Sequence, residues 1–524
     1  MKFTDAILDF LMENNIKTVF SYPGEQILPL YNALNESSIK NIMVRHEQGA
    51  LHMADGYSRI TNYVGVCLAT AGPGATNLMT GVATAYKDSS SVIAITGRCE
   101  RKYINKNYFQ EMQMDFLNIY KGYFVDKPDV SYFKNALSES LNSKKPIHLN
   151  VPSDVLKLDA DDYSTKYDDD KDEDINLKCG INIKDIKNIK DIKKPLLLIG
   201  QGIYGTLSYK EMLKINNILK NSNILITTTY PARGVIDEKD KNCLGLIGRR
   251  GNFIANKYLL ECDAIFSIGA SFSYNTIPES IRTEVLKKII DLDAKINNLN
   301  DIKALIDALN DLRHSYTHVN TDGSNKEDIS KYNYKLDENR RFSLLACYHK
   351  RLGDYSLKIK EILDNLPDDA IITTDAGNHT VFVSLLKKCV VPRNIISSHS
   401  MGTMGFGLPA SIGVKFGCLD YNINREVVSI NGDGGFQMNL QELATVSEND
   451  LKILIVIMKN NRLNVFGDIK NPDFNKIADA YDIDNVYIED IDEIRGNIKY
   501  YLNNNKPYLM VVECENEGLP KPFV

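Results

Sequence analysis

Short apolar runs alternate with amphipathic helical patterns along the chain, in three successive groups. The first group holds the runs KTVFSYPG, VGVCLATAGPG, SVIAITG and PIHLNVPSDV, most of which reach a Gly or Pro where a loop must begin. The second group runs from KKPLLLIGQG to KKIIDLDAK, and the third runs from AIITTDAGNH to PYLMVVECE. Such alternation is typical of parallel sheets covered on both faces by helices. The pattern therefore predicts an α/β protein with three doubly wound parallel-sheet domains.

Two polar stretches separate these groups. The first, DADDYSTKYDDDKDEDINLK, is too charged to bury a core, and the second, HSYTHVNTDGSNKEDISKYNYKLDENR, is polar and rich in turn residues. We interpret both as linkers. The predicted boundaries are an N-terminal domain at 1–158, an acidic linker at 159–190, a Rossmann-like middle domain at 191–313, a second linker at 314–340 and a C-terminal domain at 341–524.

Composition narrows the function classes. The chain has 524 residues, of which 43% are hydrophobic and 25% charged, and its net charge is -6, so it lacks the basic excess that nucleic-acid binding needs. The N-terminal stretch MKFTDAILDFLMENN carries acids within its apolar pattern, which predicts an amphipathic helix of a cytoplasmic protein rather than a signal peptide or membrane helix. The dispersed cysteines, without a C-x-x-C pair, argue against a disulfide framework or zinc site.

Two neighbouring strand ends of the third group carry the strongest chemical signal. EVVSINGDGG places Asp433 after one apolar run, and LKILIVIMKNN places Asn461 after the next, with Asn460 as second choice. One carboxylate, one carboxamide oxygen and a nearby backbone carbonyl, for which we take Leu463, suit magnesium. The alternative is an Asp-Gly turn that caps a helix. Three glycines let backbone N–H groups approach a diphosphate: Gly432, Gly434 and Gly435.

This GDG-to-NN pair resembles the diphosphate and metal motif of thiamine diphosphate enzymes. Other stretches fit the same family in the same order: RHEQGALHMADGYSR at 45–59, GPGATN at 72–77, FQE at 109–111 and GTMGFGLPA at 402–410. Within the family, the chain is most similar to the large subunit of acetohydroxyacid synthase (acetolactate synthase) and its paralogues. The resemblance covers nearly the whole chain. It implies pyrimidine-binding, middle and diphosphate-binding domains.

The resemblance assigns roles to three residues around the cofactor. Glu47 would hydrogen-bond or protonate the ring nitrogen of the aminopyrimidine, a role that suits a desolvated carboxylate. Met404 would hold the cofactor in its bent form, and the Gly402 carbonyl would accept from the amino group. The residues alone leave other readings open, because Glu47 could be a surface acid on a helix and Met404 a core residue.

Further contacts follow from the same resemblance. On the substrate side, it suggests Gln110 from FQE and Lys121 from YKGYF. A satisfied surface histidine is the alternative for His379. The remaining cofactor-binding candidates are Pro23, Gly24, Asn77, Asn378 and His379.

The implied reaction is a thiamine diphosphate- and Mg²⁺-dependent carboligation, in which pyruvate loses CO₂ and the two-carbon unit adds to a second 2-oxo acid. Non-oxidative decarboxylation of a 2-oxo acid is the second hypothesis, and a non-catalytic cofactor-binding paralogue is the third. In this family the glutamate serves a cofactor held by the neighbouring subunit. The resemblance therefore implies a homodimer or tetramer with active sites at the subunit interface, and it leaves open a regulatory subunit.

Three departures from the family put the finer assignment in doubt. YPGEQ carries Glu25 and Gln26 where the family has consecutive glycines, and the segment after Asn461 lacks the family's long closing lid and its tryptophan. A shorter lid would favour simple decarboxylation or a bulkier substrate. GQG at 200–202 and GLIGRRGN at 245–252 resemble parts of an FAD site, but GASFSYNT replaces the family's arginine-bearing phrase, so FAD binding is doubtful.

Overall fold

The structure is a computed structural model, and it describes residues 1–112, 115–160, 192–249, 251–293, 296–317, 352–463 and 466–519. These residues fall into two compact units. The first takes the described residues of 1–168, 358–380 and 396–516, and the second those of 169–357, 381–395 and 517–524. The first unit thus contains two of the three predicted domains, joined by packing described below.

The N-terminal part is a six-stranded parallel sheet covered by helices. Its strands stand in the order β2-β1-β3-β4-β6-β5. They are β1 (Thr18–Ser21), β2 (Lys40–Met43), β3 (Gly65–Ala69), β4 (Val92–Arg98), β5 (Lys121–Phe124) and β6 (Ile147–Pro152). The helices are α1 (Phe3–Glu13), α2 (Leu28–Glu36), α3 (Glu47–Thr61), α4 (Pro73–Asn77), α5 (Met79–Asp88) and α6 (Ser131–Ser143). Strands β1 and β3 are buried at every position, as expected for a parallel sheet with both faces covered.

The middle part is a five-stranded parallel sheet in the order β11-β10-β7-β8-β9. Its strands are β7 (Pro195–Ile199), β8 (Leu225–Thr228), β9 (Cys243–Leu246), β10 (Ala264–Ile268) and β11 (Ile289–Asp291). Its helices are α7 (Ile203–Thr206), α8 (Tyr209–Lys220), α9 (Phe253–Glu261), α10 (Glu279–Leu286) and α11 (Leu299–Thr317). Separate apolar clusters on the two sides of β7 confirm that helices cover both faces.

The C-terminal part repeats the architecture of the N-terminal part. Its strands, in the order β13-β12-β14-β15-β17-β16, are β12 (Ile371–Thr374), β13 (Ile395–Ser397), β14 (Val427–Gly432), β15 (Leu454–Lys459), β16 (Asp484–Ile488) and β17 (Tyr508–Glu513). Its helices are α12 (Asp354–Asn365), α13 (Asn378–Leu386), α14 (Gly407–Asp420), α15 (Asp433–Phe436), α16 (Leu443–Glu448), α17 (Phe474–Ala480) and α18 (Asp492–Asn503). Counted along the chain, the strand order is the same in both six-stranded sheets.

Helices α3 and α14 join the two six-stranded parts of the first unit. The two helices approach so closely that a Cβ at Gly56 would overlap the Ala410 carbonyl, and one at Gly413 would overlap the Met53 carbonyl. Glycine at both positions therefore permits the close approach. The Tyr57 hydroxyl also donates to Asp420 at 2.9 Å. Such backbone contact leaves no room for side-chain rearrangement between the two helices. The ends of the two sheets are therefore held in a fixed relation within the chain.

The predicted fold class is confirmed, since all three sheets are parallel and helix-covered. The exact domain boundaries stay predictions, because the two proposed linkers fall largely outside the described residues. Seven cysteines lie in the described part of the chain, and each has a free thiol. In the same part, no helix combines the length and apolar character needed to cross a membrane.

Candidate active site

Asp433 is the centre of a polar group at the carboxyl ends of β14 and β15. The side chain is only 3% exposed. Its Oδ2 accepts from the backbone N–H groups of Asn460 at 3.1 Å and Asn461 at 2.7 Å, and Oδ1 accepts from that of Gly434 at 2.9 Å. Asn461 itself adopts a left-handed backbone conformation, with φ of 54°. The predicted carboxylate and carboxamide thus meet at one edge of the sheet.

Asn471 completes this group from outside the predicted motif. Its Nδ2 donates to Asp433 Oδ2 at 2.7 Å and to Asn461 Oδ1 at 2.9 Å. Gln437 donates from Nε2 to Asn471 Oδ1 at 2.8 Å and to the Asp433 carbonyl at 3.1 Å. The carbonyl of Leu463, the candidate carbonyl ligand, accepts from the Phe466 N–H at 2.8 Å.

His379 lines the same edge at the start of α13, directly after Asn378. Its ring lies against Gly377 and Gly432, within 3.2 Å of a Cβ built on Gly432. The ring is 1% exposed and its Nε2 has no hydrogen-bond partner in the structure. Burial lowers the pKa of His379 to about 4, so the ring is neutral near pH 7. A neutral imidazole with an unsatisfied nitrogen is suited to a hydrogen bond with a bound phosphate oxygen.

Met404 lies in a loop with a glycine on either side of it in the left-handed region. Gly402 has φ of 68° and Gly405 has φ of 85°. Both oxygens of Asp375 accept from the Gly405 N–H, at 2.8 and 2.9 Å, which fixes the backbone directly after Met404. Burial raises the pKa of Asp375 to about 7. A Cβ on Gly435 would come within 2.5 Å of Asp375, so only glycine fits there.

The Met404 side chain extends toward the Asp433 turn. Its Cε lies 3.7 Å from a Cβ built on Gly434, and the Leu463 side chain fills the space nearest to that position. Nothing lies within 4 Å of a Cβ built on Gly402, so this side of the loop faces open space. The loop predicted to bend a cofactor therefore adjoins the turn predicted to bind its diphosphate.

Glu47 begins α3 in the N-terminal part and is 6% exposed. Its Oε2 accepts from Asn77 Nδ2 at 2.9 Å, and its Oε1 lies 3.1 Å from a Cβ built on Gly74. Among the described residues, Asn77 is the only one whose side chain hydrogen-bonds to the Glu47 carboxylate. The reading of Glu47 as an exposed surface acid is therefore wrong.

The segments that follow β1 and β3 bring Gly24 and Gly74 together around Thr70, next to this carboxylate. A Cβ on Gly24 would lie 2.6 Å from Thr70 Cγ2, and Thr70 also flanks Gly74. Thr70 Oγ1 is buried without a hydrogen-bond partner. Pro23 precedes Gly24, in the loop that follows β1. These groups form the second polar site of the first unit.

Gln110 lies against the glycine loop that follows β3. Its backbone oxygen and Cβ are 3.0 Å from a Cβ built on Gly72, and Gln110 has φ of 58°. Lys121 does not join these residues, because it begins β5 and so lies at the amino end of that parallel strand. It is exposed and forms an ion pair with Glu139 of α6. We therefore correct the sequence prediction and remove Lys121 from the candidate site.

Comparisons with known proteins identify the family to which this chain belongs. A model of the thiamine pyrophosphate enzyme N-terminal binding domain matches residues 1–119. The central domain of the same enzymes matches 184–317, and their C-terminal thiamine pyrophosphate-binding domain matches 375–512. The chain belongs to the thiamine pyrophosphate enzyme family. An uncharacterized protein of Methanocaldococcus jannaschii is 59% identical to this thiamine pyrophosphate enzyme, covering 100% of the chain and 99% of its own length.

Relatives with a named activity are more distant. A probable acetolactate synthase large subunit of Methanocaldococcus jannaschii is 34% identical, covering 99% of this chain and 93% of its own length. The acetolactate synthase isozyme 2 large subunit of Escherichia coli is 29% identical, covering 97% and 95%. The chain is thus similar to these subunits over nearly its whole length.

The residues present fit thiamine pyrophosphate. Two buried polar atoms at the sheet edges, Thr70 Oγ1 and His379 Nε2, have no partner in the structure and could each accept or donate a hydrogen bond. The glycines at 432, 434 and 435 keep side chains away from the turn where a diphosphate would approach. Glu47 and Asp433 supply one carboxylate at each edge.

The glycine loops of the middle part do not offer a comparable cradle for FAD. The Gly202 N–H donates to the Gly269 carbonyl at 2.8 Å, and the Gly200 N–H donates to the Ile268 carbonyl at 2.7 Å. The Gly269 N–H donates to Asp293. A dinucleotide site needs free N–H groups in such a loop. In the described part of GQG and its neighbours, these groups are already engaged within the protein.

Sequence reasoning missed several residues that position the site. Asp375 directly follows β12 in TTDAGNH, and its place two residues before Gly377 was a usable signal. Asn471 follows the metal motif after a gap, and Glu442 follows the GDG turn, so neither has a local signal. The structure brings them to the site through contacts between segments distant in sequence.

Proposed function

We propose that this thiamine pyrophosphate enzyme is an acetolactate synthase-like carboligase acting on 2-oxo acids. The observation that carries the proposal is the placement of Glu47 and Asp433 at the carboxyl edges of two sheets with the same strand order. The names of the relatives with a named activity support the same reaction class. When bound, the cofactor supplies a carbon nucleophile that adds to a 2-oxo acid and accepts the electron pair left by CO₂.

Glu47 exchanges a proton with the aminopyrimidine ring of the cofactor. Its carboxylate is buried and bound on one oxygen by Asn77, which leaves the other oxygen for that hydrogen bond. Met404 would hold the cofactor in its bent form, and the hydrogen bond from the Gly405 N–H to Asp375 fixes the backbone beside Met404. The space beside Gly402 is open, and its carbonyl would accept a hydrogen bond from the cofactor's amino group.

Asp433 and Asn461 bind Mg²⁺, with the Leu463 carbonyl as the third protein ligand. The hard oxygens of a carboxylate and a carboxamide suit this ion. His379 and the N-terminus of α13 at Asn378 hold phosphate oxygens. These groups orient the diphosphate before any substrate enters.

The active unit is a homodimer in this proposal. In the described part of the chain, no hydrogen bond or ion pair joins Glu47 to Met404 or Asp433. We infer that Glu47 of one subunit serves the cofactor anchored by Asp433 of another. Closed two-fold assemblies of this kind are the commonest symmetric oligomers.

Non-oxidative decarboxylation of a 2-oxo acid is the second candidate, and one observation favours it. Soon after Asn461, Arg462 and Asp468 form an antiparallel bridge and an ion pair at 3.1 Å. A segment this short covers less of the site than a long lid, and water reaches the reacting carbon more readily. Glu25, exposed four residues after β1, would add a charged group near the substrate.

Proton NMR of the products separates the two candidates. The purified protein is incubated with thiamine diphosphate, Mg²⁺ and pyruvate, and the Glu47→Gln variant serves as the control. Acetolactate supports the carboligase, whereas acetaldehyde alone supports the decarboxylase. No turnover with pyruvate or any other 2-oxo acid, in a protein that binds the cofactor, would contradict both and leave a non-catalytic paralogue. We also expect the purified protein to lack flavin absorbance in the visible range.

A further inference from the structure

Asn471 lies between the two side chains that we propose as cation ligands. Its Nδ2 is 2.7 Å from Asp433 Oδ2 and 2.9 Å from Asn461 Oδ1. Both oxygens therefore point at one amide group. A cation held by these oxygens binds at the place toward which they converge, so it must also meet the Asn471 side chain.

The Asn471 amide can present either of its ends to that place. Nitrogen and oxygen of an asparagine amide have the same shape and are assigned from the hydrogen-bond network. A half-turn about the last side-chain bond replaces Nδ2 by Oδ1 without moving the backbone. Gln437, which donates to Asn471 Oδ1 at 2.8 Å, can turn its own amide in the same way and accept instead, at the loss of its 3.1 Å hydrogen bond to the Asp433 carbonyl.

The Asn471 backbone is well placed to stay still during such a turn. Pro472 follows it, and a proline restricts the backbone of the residue before it. Asp473 caps the next helix, α17, by accepting from the Lys476 N–H at 3.2 Å. A cavity of about 740 Å³ borders both Asn461 and Asn471, so the side chain has room to rotate.

We propose that Asn471 is a further ligand of the cation and acts through its side-chain oxygen. This inference rests on the proposed Mg²⁺ site at Asp433 and Asn461. With the cation bound, Asn471 Oδ1 faces it, and the three side-chain oxygens share its charge. Without the cation, the same three oxygens would repel one another, and the amide turns its Nδ2 inward to hydrogen-bond both neighbours.

Asn471 therefore contacts Asp433 and Asn461 by hydrogen bonds when the cation is absent, and it binds the cation together with them when the cation is present. A residue that only bridged Asp433 and Asn461 by hydrogen bonds would compete with the cation. A residue that turns and ligates would strengthen cation binding. Removing the side chain therefore changes the cation affinity in opposite directions under the two accounts.

The test measures Mn²⁺ affinity by calorimetry or by electron paramagnetic resonance, in the presence of thiamine diphosphate. We expect Asn471→Ala to weaken Mn²⁺ binding about tenfold or more, the range seen when groups around a metal are removed. Asn475→Ala is the matched control, because Asn475 lines the same cavity but donates to Asn485 at 2.7 Å. Unchanged or tighter Mn²⁺ binding by Asn471→Ala would overturn the proposal.

A second variant protects the test against misfolding of the first. Asn471→Asp keeps an oxygen and loses the NH₂ group, so it should bind Mn²⁺ at least as tightly as the wild type. Its melting temperature should also rise more on Mn²⁺ addition than that of the wild type. Binding by Asn471→Asp as weak as that of an Asp433→Asn reference would contradict a ligand role. Failure of the wild type to bind Mn²⁺ would instead overturn the cation site and the proposed function.

Discussion

The two six-stranded sheets share one strand order, but their carboxyl edges carry very different polar groups. At the C-terminal edge, the Asp433 carboxylate accepts four hydrogen bonds from residues that follow β14 and β15. At the N-terminal edge, Glu47 accepts one, from Asn77. The same architecture thus supports a tightly held carboxylate at one edge and a loosely held one at the other.

The difference matches the tasks we assign to the two edges. A carboxylate that anchors a cation and a diphosphate must keep one position, and several donors fix it there. A carboxylate that exchanges a proton needs an oxygen left free for its partner, and geometry decides whether it can act.

Glu442 connects the two edges within the chain. It lies after the Asp433 turn, is 0% exposed, and accepts from the Arg45 N–H at 3.0 and 3.2 Å and from the Thr445 hydroxyl at 2.8 Å. Arg45 lies two residues before Glu47. The backbone that leads into Glu47 is therefore held by the part of the chain that carries the anchoring group.

The largest expected effect is on Glu47. Glu47→Gln should lower kcat about a hundredfold or more, the usual contribution of a positioned acid–base group, while leaving thiamine diphosphate affinity within a few-fold. Steady-state kinetics and cofactor titration measure the two quantities. Glu36→Gln, at an exposed position in α2, is the control. Full turnover by Glu47→Gln would remove the functional distinction between the edges.

Met404 should give a smaller effect. Met404→Ala removes the side chain that presses on the cofactor, and we expect kcat to fall about tenfold to a hundredfold because the reacting groups lose their alignment. Met438→Ala is a matched control, since Met438 belongs to the same edge but is 52% exposed. Equal kinetics for the two variants would show that Met404 is only a packing residue.

Glu442 should make the stability of the folded protein fall as the pH rises. Burial raises its pKa to about 7, above the value of about 4.3 expected in the unfolded chain. Its contribution to the free energy of unfolding is therefore full below the unfolded pKa and is lost as pH rises through about 7. The melting temperature of the wild type, relative to that of Glu442→Gln, should fall between about pH 4 and pH 7, the interval between the unfolded and folded pKa values. A constant difference would show that Glu442 stays in one protonation state.

Much of this comparison could be predicted from sequence because strand ends have local signals. The apolar runs before Gly24, Asp433 and Asn461 predicted where the sheets end, and parallel sheets bind ligands at their carboxyl edges. The same reasoning failed for Lys121, since YKGYF starts a strand and places the lysine at the opposite edge. Motif content alone does not show at which end of a strand a residue lies.

The supporting residues could not be predicted in the same way. Asn471 reaches Asp433 across an interval of 38 residues, and Glu442 reaches Arg45 across 397. Such contacts depend on how separate segments pack, and no periodicity in either segment records them. The sequence therefore predicted the reacting groups better than the groups that position them.

The central claim is that Glu47 and Asp433 complete a site from different subunits. The most direct test mixes inactive Glu47→Gln and Asp433→Asn proteins under conditions that allow subunit exchange, and then measures turnover of the 2-oxo acid substrate. Random pairing gives mixed dimers with one intact site, so about a quarter of wild-type activity should return. No recovery, in a mixture shown to exchange subunits, would contradict the account and place both carboxylates in one chain.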